Sequence, residues 1–360
     1  MPSLFDPFHL GGLSLPNRVV MAPMTRSRAT ADGLATESVA TYYAQRATAG
    51  LLISEGIQPS ARSQSTVNTP GLHTPEQAAA WKQVTDAVHV NGGRIFAQLM
   101  HSGRVSHPNV TGTVPVAPSA LGVGTPIFAT RFGDPAGMQP APEPHELTTS
   151  EVADEIAVFV DAARNAVEAG FDGVELHGAN GYLIHQFLSS NANRRTDAYG
   201  GSINGRIRFA VETAEATAQA IGADKVGIRL SPGSQLWDIE ENDVPDLYTA
   251  LTSALAPLGI AYLHTVAATE ADVLLAMRKL WPSAFIVNPS TVVNPQPSGK
   301  PEGEYWLAQG ADLVSFGRNY LANPDLVERF RAEAPLAQAD ADTIYHGGDQ
   351  GYITYSNHQP

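Results

Sequence analysis

His177, Asn180 and Tyr182 fall within six residues of one another in the stretch Glu175-Leu176-His177-Gly178-Ala179-Asn180-Gly181-Tyr182. An imidazole, an amide and a phenol this close can donate several hydrogen bonds, and the phenol can also supply a proton. The apolar run Val174 to Leu176 leads directly into them. That pattern reads as a buried strand emptying polar side chains into a loop, where barrel enzymes keep their chemistry.

Other apolar runs end in the same way. Pro23-Met24-Thr25-Arg26 follows the first, Ser54-Glu55-Gly56 closes the second, and Gln98, Met100 and His101 end the third. Arg229 sits in a fifth run, and Gly317-Arg318 follows the last. In a parallel barrel all of these lie on one rim and can converge. The set holds amides, hydroxyls and, in Arg229 and Arg318, two cations besides Arg26, but no Ser–His–Asp arrangement, carboxylate pair or Schiff-base lysine. Donors without a nucleophile suit a cofactor that brings its own reactivity. Arg318 after the last strand matches the place where barrels bind phosphate, and Arg229 adds positive charge near the centre of the mouth. Flavin mononucleotide (FMN) is the leading candidate. No GxGxxG follows a strand, so a dinucleotide-binding Rossmann domain is not supported.

The elements that must position these groups are well marked. Strand-like runs occupy Val19–Ala22, Leu51–Glu55, Arg94–Leu99, Gly173–His177, Val226–Leu230, Ala261–Val266, Ala284–Val287 and Asp312–Phe316. They lack polar alternation, as parallel strands covered on both faces should. Thr74-Pro75-Glu76-Gln77 is a capping box with proline at the first helical position, and Trp81, Val84 and Val88 follow on one face. Thr148-Thr149-Ser150-Glu151 opens a helix whose apolar side carries Val152, Ile156, Phe159, Val160, Ala163 and Val167. Asn204–Ile221 repeats the period through Ile207, Val211, Ala214 and Ala218. Strands alternating with helices predict an α/β fold, a (β/α)8 TIM barrel. Residues 111–145 are rich in Pro and Gly and break the rhythm on the catalytic side. They read as a lid or capping insertion in a single domain spanning 1–360. The tail after Asp340 is expected to pack back over a barrel end.

Composition bounds the partners. The 360 residues are 43% hydrophobic and 16% charged, with a net charge of −14 spread along the chain. An acidic chain without basic patches argues against nucleic acid or an anionic membrane surface and favours a small-molecule ligand. There is no cysteine, and the eleven histidines are scattered without HExxH spacing, so a metal site is not expected. No leader-like or membrane-length apolar stretch stands out, which makes a cytoplasmic enzyme, monomer or homodimer, the default.

At these residues the chain resembles the old yellow enzyme family of FMN-dependent ene-reductases. The resemblance runs from Pro16-Asn17-Arg18 to Gly351-Tyr352. Its most specific pieces are Ala22-Pro23-Met24-Thr25-Arg26, Gln98-Leu99-Met100-His101-Ser102-Gly103-Arg104, the His177–Leu183 stretch, Arg195–Ser202 and Phe316-Gly317-Arg318. It implies that Thr25 bonds the flavin carbonyl, with Pro23 and Met24 beside it, and that Gln98 bonds the pyrimidine edge. Arg229 would face N1, Gly56 would approach the ring, and Gly317 and Arg318 would hold the phosphate, with Asn288 a further cofactor candidate. His177 and Asn180 would donate to the substrate's carbonyl oxygen while Tyr182 protonates the α-carbon. The implied cycle is ping-pong, with NADPH or NADH reducing the flavin and an enone taking the same place.

Some positions depart from the family. Thr66 stands where many members carry Tyr, and Met100 where several carry Trp; both changes could open the substrate pocket. Asn204-Gly205-Arg206 differs from the usual Glu-Asn-Arg, and residues 287–291 lack a glycine-rich turn before the phosphate site. Tyr352 is the candidate for closing the pocket from the tail. Three other readings stay open: the same FMN site reducing nitro compounds or nitrate esters, a flavin-free barrel lyase or isomerase, and a barrel that only binds a ligand. A colourless purified protein would favour the last two.

Overall fold

Eight parallel strands close into a barrel in the computed structural model, which describes residues 2–130, 137–289 and 297–358. They are β1 (Val19–Met21), β2 (Leu51–Ile57), β3 (Ile95–Leu99), β4 (Gly173–Gly178), β5 (Val226–Leu230), β6 (Tyr262–Val266), β7 (Ala284–Asn288) and β8 (Leu313–Phe316). β1 pairs with both β2 and β8, which closes the ring. Every strand falls where an apolar run predicts one. The crossovers carry α1 (Glu37–Ala44), α2 (Pro75–Val90), α3 (Thr149–Glu168), α4 (Ile203–Ile221), α5 (Val244–Leu255), α6 (Ala271–Leu280), α7 (Lys300–Ala308) and α8 (Leu326–Ala332). The predicted capping box forms, with Thr74 Oγ1 accepting from Gln77 N–H at 3.2 Å, and a second closes the helix start at Thr148, whose N–H donates to Glu151 at 2.7 Å. None of the described helices is long and apolar enough to cross a membrane.

The strands alternate after all, and the alternation sorts two cores. Val174 and Leu176 of β4 join the outer core beneath the helices, whereas Glu175 points into the barrel toward Gln98 and His264. At the base of the interior, Val20, Leu51, Ile53, Phe96, Tyr262, Ile286 and Leu313 form a separate apolar cluster. Room for its rings comes from glycine: a Cβ on Gly227 would lie 2.2 Å from the Tyr262 ring, and one on Gly173 would lie 2.5 Å from the Phe96 ring. Leu10 and Leu15 complete the cluster from an antiparallel hairpin, Phe8–Leu10 with Leu13–Leu15, that stops the base of the barrel. The Gly11-Gly12 turn between alternating residues was its sequence signal.

Between β3 and α3, the described part of the insertion is not shapeless. Val116–Ala117 pairs with His145–Glu146, and Ile127–Phe128 pairs with Met138–Gln139. Two-residue ladders are too short to leave a period in the sequence. Buried Arg104 ties this segment to the loop after β5. Its guanidinium donates to the carbonyls of Leu121 and Gly122 on one side and of Trp237 and Asp238 on the other. The chain's end folds onto the β1 loop, where Arg26 Nη2 donates to Gly351 O at 2.8 Å. Near the start of α4, a Cβ on Gly205 would meet Gly200 O at 2.1 Å, so the unusual Asn204-Gly205-Arg206 reflects a close backbone crossing.

Candidate active site

Above the apolar base lies a buried polar layer. Glu175 is its centre, with Oε1 accepting from Gln98 Nε2 at 2.8 Å and Oε2 lying 2.8 Å from His264 Nδ1. His264 Nε2 in turn lies 2.8 Å from Ser315 Oγ. Burial works to raise the Glu175 carboxyl, but His264, Arg229 and Gln98 outweigh it and hold the group below its ordinary range. One step higher, His177 sits in register with Arg229, so the two side chains emerge side by side. Burial first, and then the Arg229 charge, push the His177 imidazole far down, which leaves it neutral at physiological pH.

Arg229 is held at one end only. Its Nη2 reaches Asn288 Oδ1 at 3.5 Å, and Asn288 Nδ2 donates to Ser315 O at 2.9 Å. Its Nε is buried without a partner among the described residues. A buried guanidinium N–H that the described residues leave unpaired is open to an acceptor from beyond them. Asn288 therefore bonds Arg229 and the β8 backbone.

The loop after β4 is fixed by its backbone. Asn180 takes a left-handed conformation (φ 57°), and its N–H donates to Ser231 Oγ at 2.8 Å. Gly181 N–H donates to His185 Nδ1 at 3.0 Å, and His185 Nε2 lies 3.2 Å from the buried Glu241 carboxylate. The Asn180 amide makes no hydrogen bond to the described residues, which leaves it available. The Tyr182 ring lies 5.3 Å from the His177 ring, and burial pushes its hydroxyl up to about 12.

A cavity of about 160 Å³ opens beside Tyr182, lined also by Thr25, Ser65, Thr66, Val105, Phe128, Trp237 and Tyr345. Thr66 was expected there, whereas Thr25 was expected beside the flavin. Tyr352 was also expected in the pocket, and the structure corrects this. Its ring is fully buried, stacked 4.2 Å from Tyr42, with the Arg26 guanidinium 5.0 Å away, so it anchors the tail. The tail residue that reaches the cavity is Tyr345, seven positions earlier. Met100, another expected pocket residue, packs against Gly56 instead, where a Cβ would come within 2.7 Å of its Sδ. Gly56 thus makes room for a neighbouring side chain.

Around the ends of β1 and β8, Pro23, Met24 and Thr25 are half-buried, and a Cβ on Gly317 would lie 3.4 Å from Met24 Sδ. Arg318 lines a separate cavity of about 510 Å³ with Pro297, Gly299, Asn319 and Leu336. Residues 290–296, where the phosphate-site turn was sought, lie outside the described residues. The cavity residues that sequence reasoning missed are Ser65, Val105, Phe128, Trp237 and Tyr345. Trp237 and Asp238 both take left-handed backbone (φ 55° and 59°), conformations that their residue types do not announce.

A family profile described as "NADH:flavin oxidoreductase / NADH oxidase family" matches residues 3–337. A probable flavin mononucleotide-dependent alkene reductase of Leishmania infantum is 39% identical over 360 residues, covering 98% of this chain and 96% of its own. The 12-oxophytodienoate reductase 1 of Oryza sativa subsp. japonica is 41% identical over 358 residues, covering 95% and 89%. Among solved structures, morphinone reductase in complex with tetrahydroNAD superposes with a TM-score of 0.94 at 42% identity, covering 100% of this chain and 98% of that one.

Proposed function

Because the chain belongs to the NADH:flavin oxidoreductase / NADH oxidase family, we propose that it reduces the activated C=C bond of α,β-unsaturated carbonyl compounds with NAD(P)H. The observation that carries this reading is a set of donors for which the described residues provide no acceptor. Arg229 Nε is orphaned and buried, neutral His177 stands beside it, and the Asn180 amide and Tyr182 hydroxyl lie on the next loop. The group holds no Ser–His–Asp arrangement, carboxylate pair or lysine, which suits a site built around a redox cofactor.

The donor set fits FMN. Arg229 supplies a positive charge and an unpaired N–H for the electron-rich edge of the ring. Gln98, whose amide N–H groups are already engaged, offers its carbonyl oxygen to a ring N–H. Thr25 supplies a hydroxyl for the ring carbonyl, with Pro23, Met24 and Gly56 beside it. Asn288 steadies Arg229, and Gly317 and Arg318 receive the phosphate. When bound, FMN would supply the redox chemistry, hydride transfer from nicotinamide to alkene, at the place these residues surround.

The chain's own residues do the rest. His177 and Asn180 donate to the carbonyl oxygen and make the β-carbon electrophilic. Tyr182, protonated across the physiological range, delivers a proton to the α-carbon. Reductant and substrate take the same place in turn, a ping-pong order. The insertion at residues 111–145 caps this mouth within one barrel domain.

Anaerobic titration of the purified protein with NADPH, followed by cyclohexenone, tests the reading. A yellow band should bleach and then return. A protein without a flavin band, even after incubation with FMN, would overturn it.

A further inference from the structure

Glu175 lies a full layer beneath the groups that face the cavity, and the cycle above gives it no task. Its partners show what it does. An ionised carboxylate can only accept, so the Gln98 atom 2.8 Å from Glu175 Oε1 must be the amide nitrogen. That choice follows from the chemistry of the partner and not from how the amide was oriented. The same nitrogen lies 3.2 Å from His177 Nδ1. Its second N–H can only donate there, so His177 Nδ1 accepts and the ring proton sits on Nε2. Among the described residues nothing else bonds the His177 ring. The Gln98 carbonyl oxygen, turned away from the carboxylate, is likewise left without a partner.

Glu175 is in turn held from the far side. His264 approaches its Oε2 through Nδ1 at 2.8 Å and reaches Ser315 Oγ through Nε2 at the same distance. Glu175, His264, Ser315, Gln98 and His177 are all 3% exposed or less, so no water competes for these bonds.

We propose that Glu175 is a positioning residue that sets the chemical sense of the site through Gln98. One buried carboxylate makes His177 a donor at Nε2 and makes Gln98 an acceptor at Oε1. That His177 donates to a substrate carbonyl rests on the proposed function, whereas the tautomer does not.

The test is nitrogen NMR of the full-length protein labelled with ¹⁵N-histidine, with bound flavin followed by absorbance on the same sample. His177 should show an unprotonated Nδ1 and a protonated Nε2. An Nδ1-protonated His177 in the wild type overturns the proposal, and this measurement needs no variant to fold. In Glu175→Gln, Gln98 is free to turn its carbonyl toward the ring. The Nδ1-protonated form should then be detectable, with FMN binding weakened about tenfold. Alkene reduction should slow by roughly tenfold, short of the roughly hundredfold loss expected when a carbonyl-binding donor is deleted. A variant that keeps the single Nε2 tautomer overturns the role. If the tautomer is as stated but no flavin binds, the cofactor reading fails and the positioning role stands.

Discussion

Arg28 gathers the backbone carbonyls on either side of Tyr345. The guanidinium donates to the carbonyl of Ile344 at 2.8 Å and of His346 at 2.6 Å, the residues on either side, and also to Thr343 and Gly348. A planar fork with five N–H groups can gather carbonyls this way, and an ammonium cannot. Arg28→Lys should therefore loosen the segment that carries Tyr345. KM for an enone should rise several-fold with kcat little changed, and thermal stability should fall by about 2 kcal/mol. Steady-state kinetics beside a melting curve would show it; an unchanged KM would remove Arg28 from any part in shaping the cavity.

Tyr182→Phe separates the two half-reactions. Reoxidation by an enone should slow by about 10²–10⁴-fold, the usual range for a lost general acid, while reduction by the nicotinamide keeps its rate. With its hydroxyl at about 12, Tyr182 stays protonated through the neutral range, so wild-type reoxidation should show no fall from this group as pH rises toward 9. Rapid-mixing absorbance measures both. Equal loss in the two half-reactions would rule out the proton-donor assignment.

Glu55 predicts a pH effect on stability rather than on rate. Burial pushes its carboxyl up from 4.5 to about 7, against the opposing pull of the Arg26 N–H that donates to Oε2 at 3.2 Å. The folded chain keeps this proton where the unfolded chain has lost it, so stability falls as pH rises from 4.5 to about 7 and then levels. The shift corresponds to about 3 kcal/mol. Glu55→Gln, which cannot ionise, should flatten that part of the stability–pH curve. Urea melts at intervals across it would decide, and an unchanged slope would assign the effect elsewhere.

Gly181→Ala should damage the site directly. At φ 82° an alanine is strained, and its Cβ would lie 2.5 Å from Leu236 O and 3.0 Å from Trp237 Cβ. A destabilisation of about 1–3 kcal/mol is expected, with Asn180 and Tyr182 displaced and activity lost disproportionately. Retained turnover at full stability would show that the loop has slack.

The barrel was legible because its strands and caps are local signals: apolar runs bounded by Thr74-Pro75-Glu76-Gln77 and Thr148–Glu151 leave little choice of element. His177, Arg229 and Gln98 were legible because strand ends in a barrel share a rim whatever their separation in sequence. Tyr345 was not. Which tyrosine of the tail reaches the cavity depends on carbonyls gathered by Arg28 more than 300 residues earlier, and Tyr352 offered an equally plausible aromatic. Trp237 was hidden for a related reason, since its direction depends on left-handed backbone held by Arg104 from another loop. The contact of Met100 with Gly56 was likewise hidden, since Gly56 lies in β2 and Met100 follows β3. Glu175 escaped notice because a lone acid inside an apolar strand carries no mark of the imidazole and amide that meet it from neighbouring strands.

The hairpin of Phe8–Leu10 and Leu13–Leu15 has a consequence for traffic. Leu10 and Leu15 pack into the apolar base of the interior, so among the described residues that end is filled by side chains. A reductant and a substrate that both used the opposite mouth would then have to use it in turn. The second has to wait outside until the first has gone, and a queue of that kind is what turn-taking kinetics would look like from the doorway.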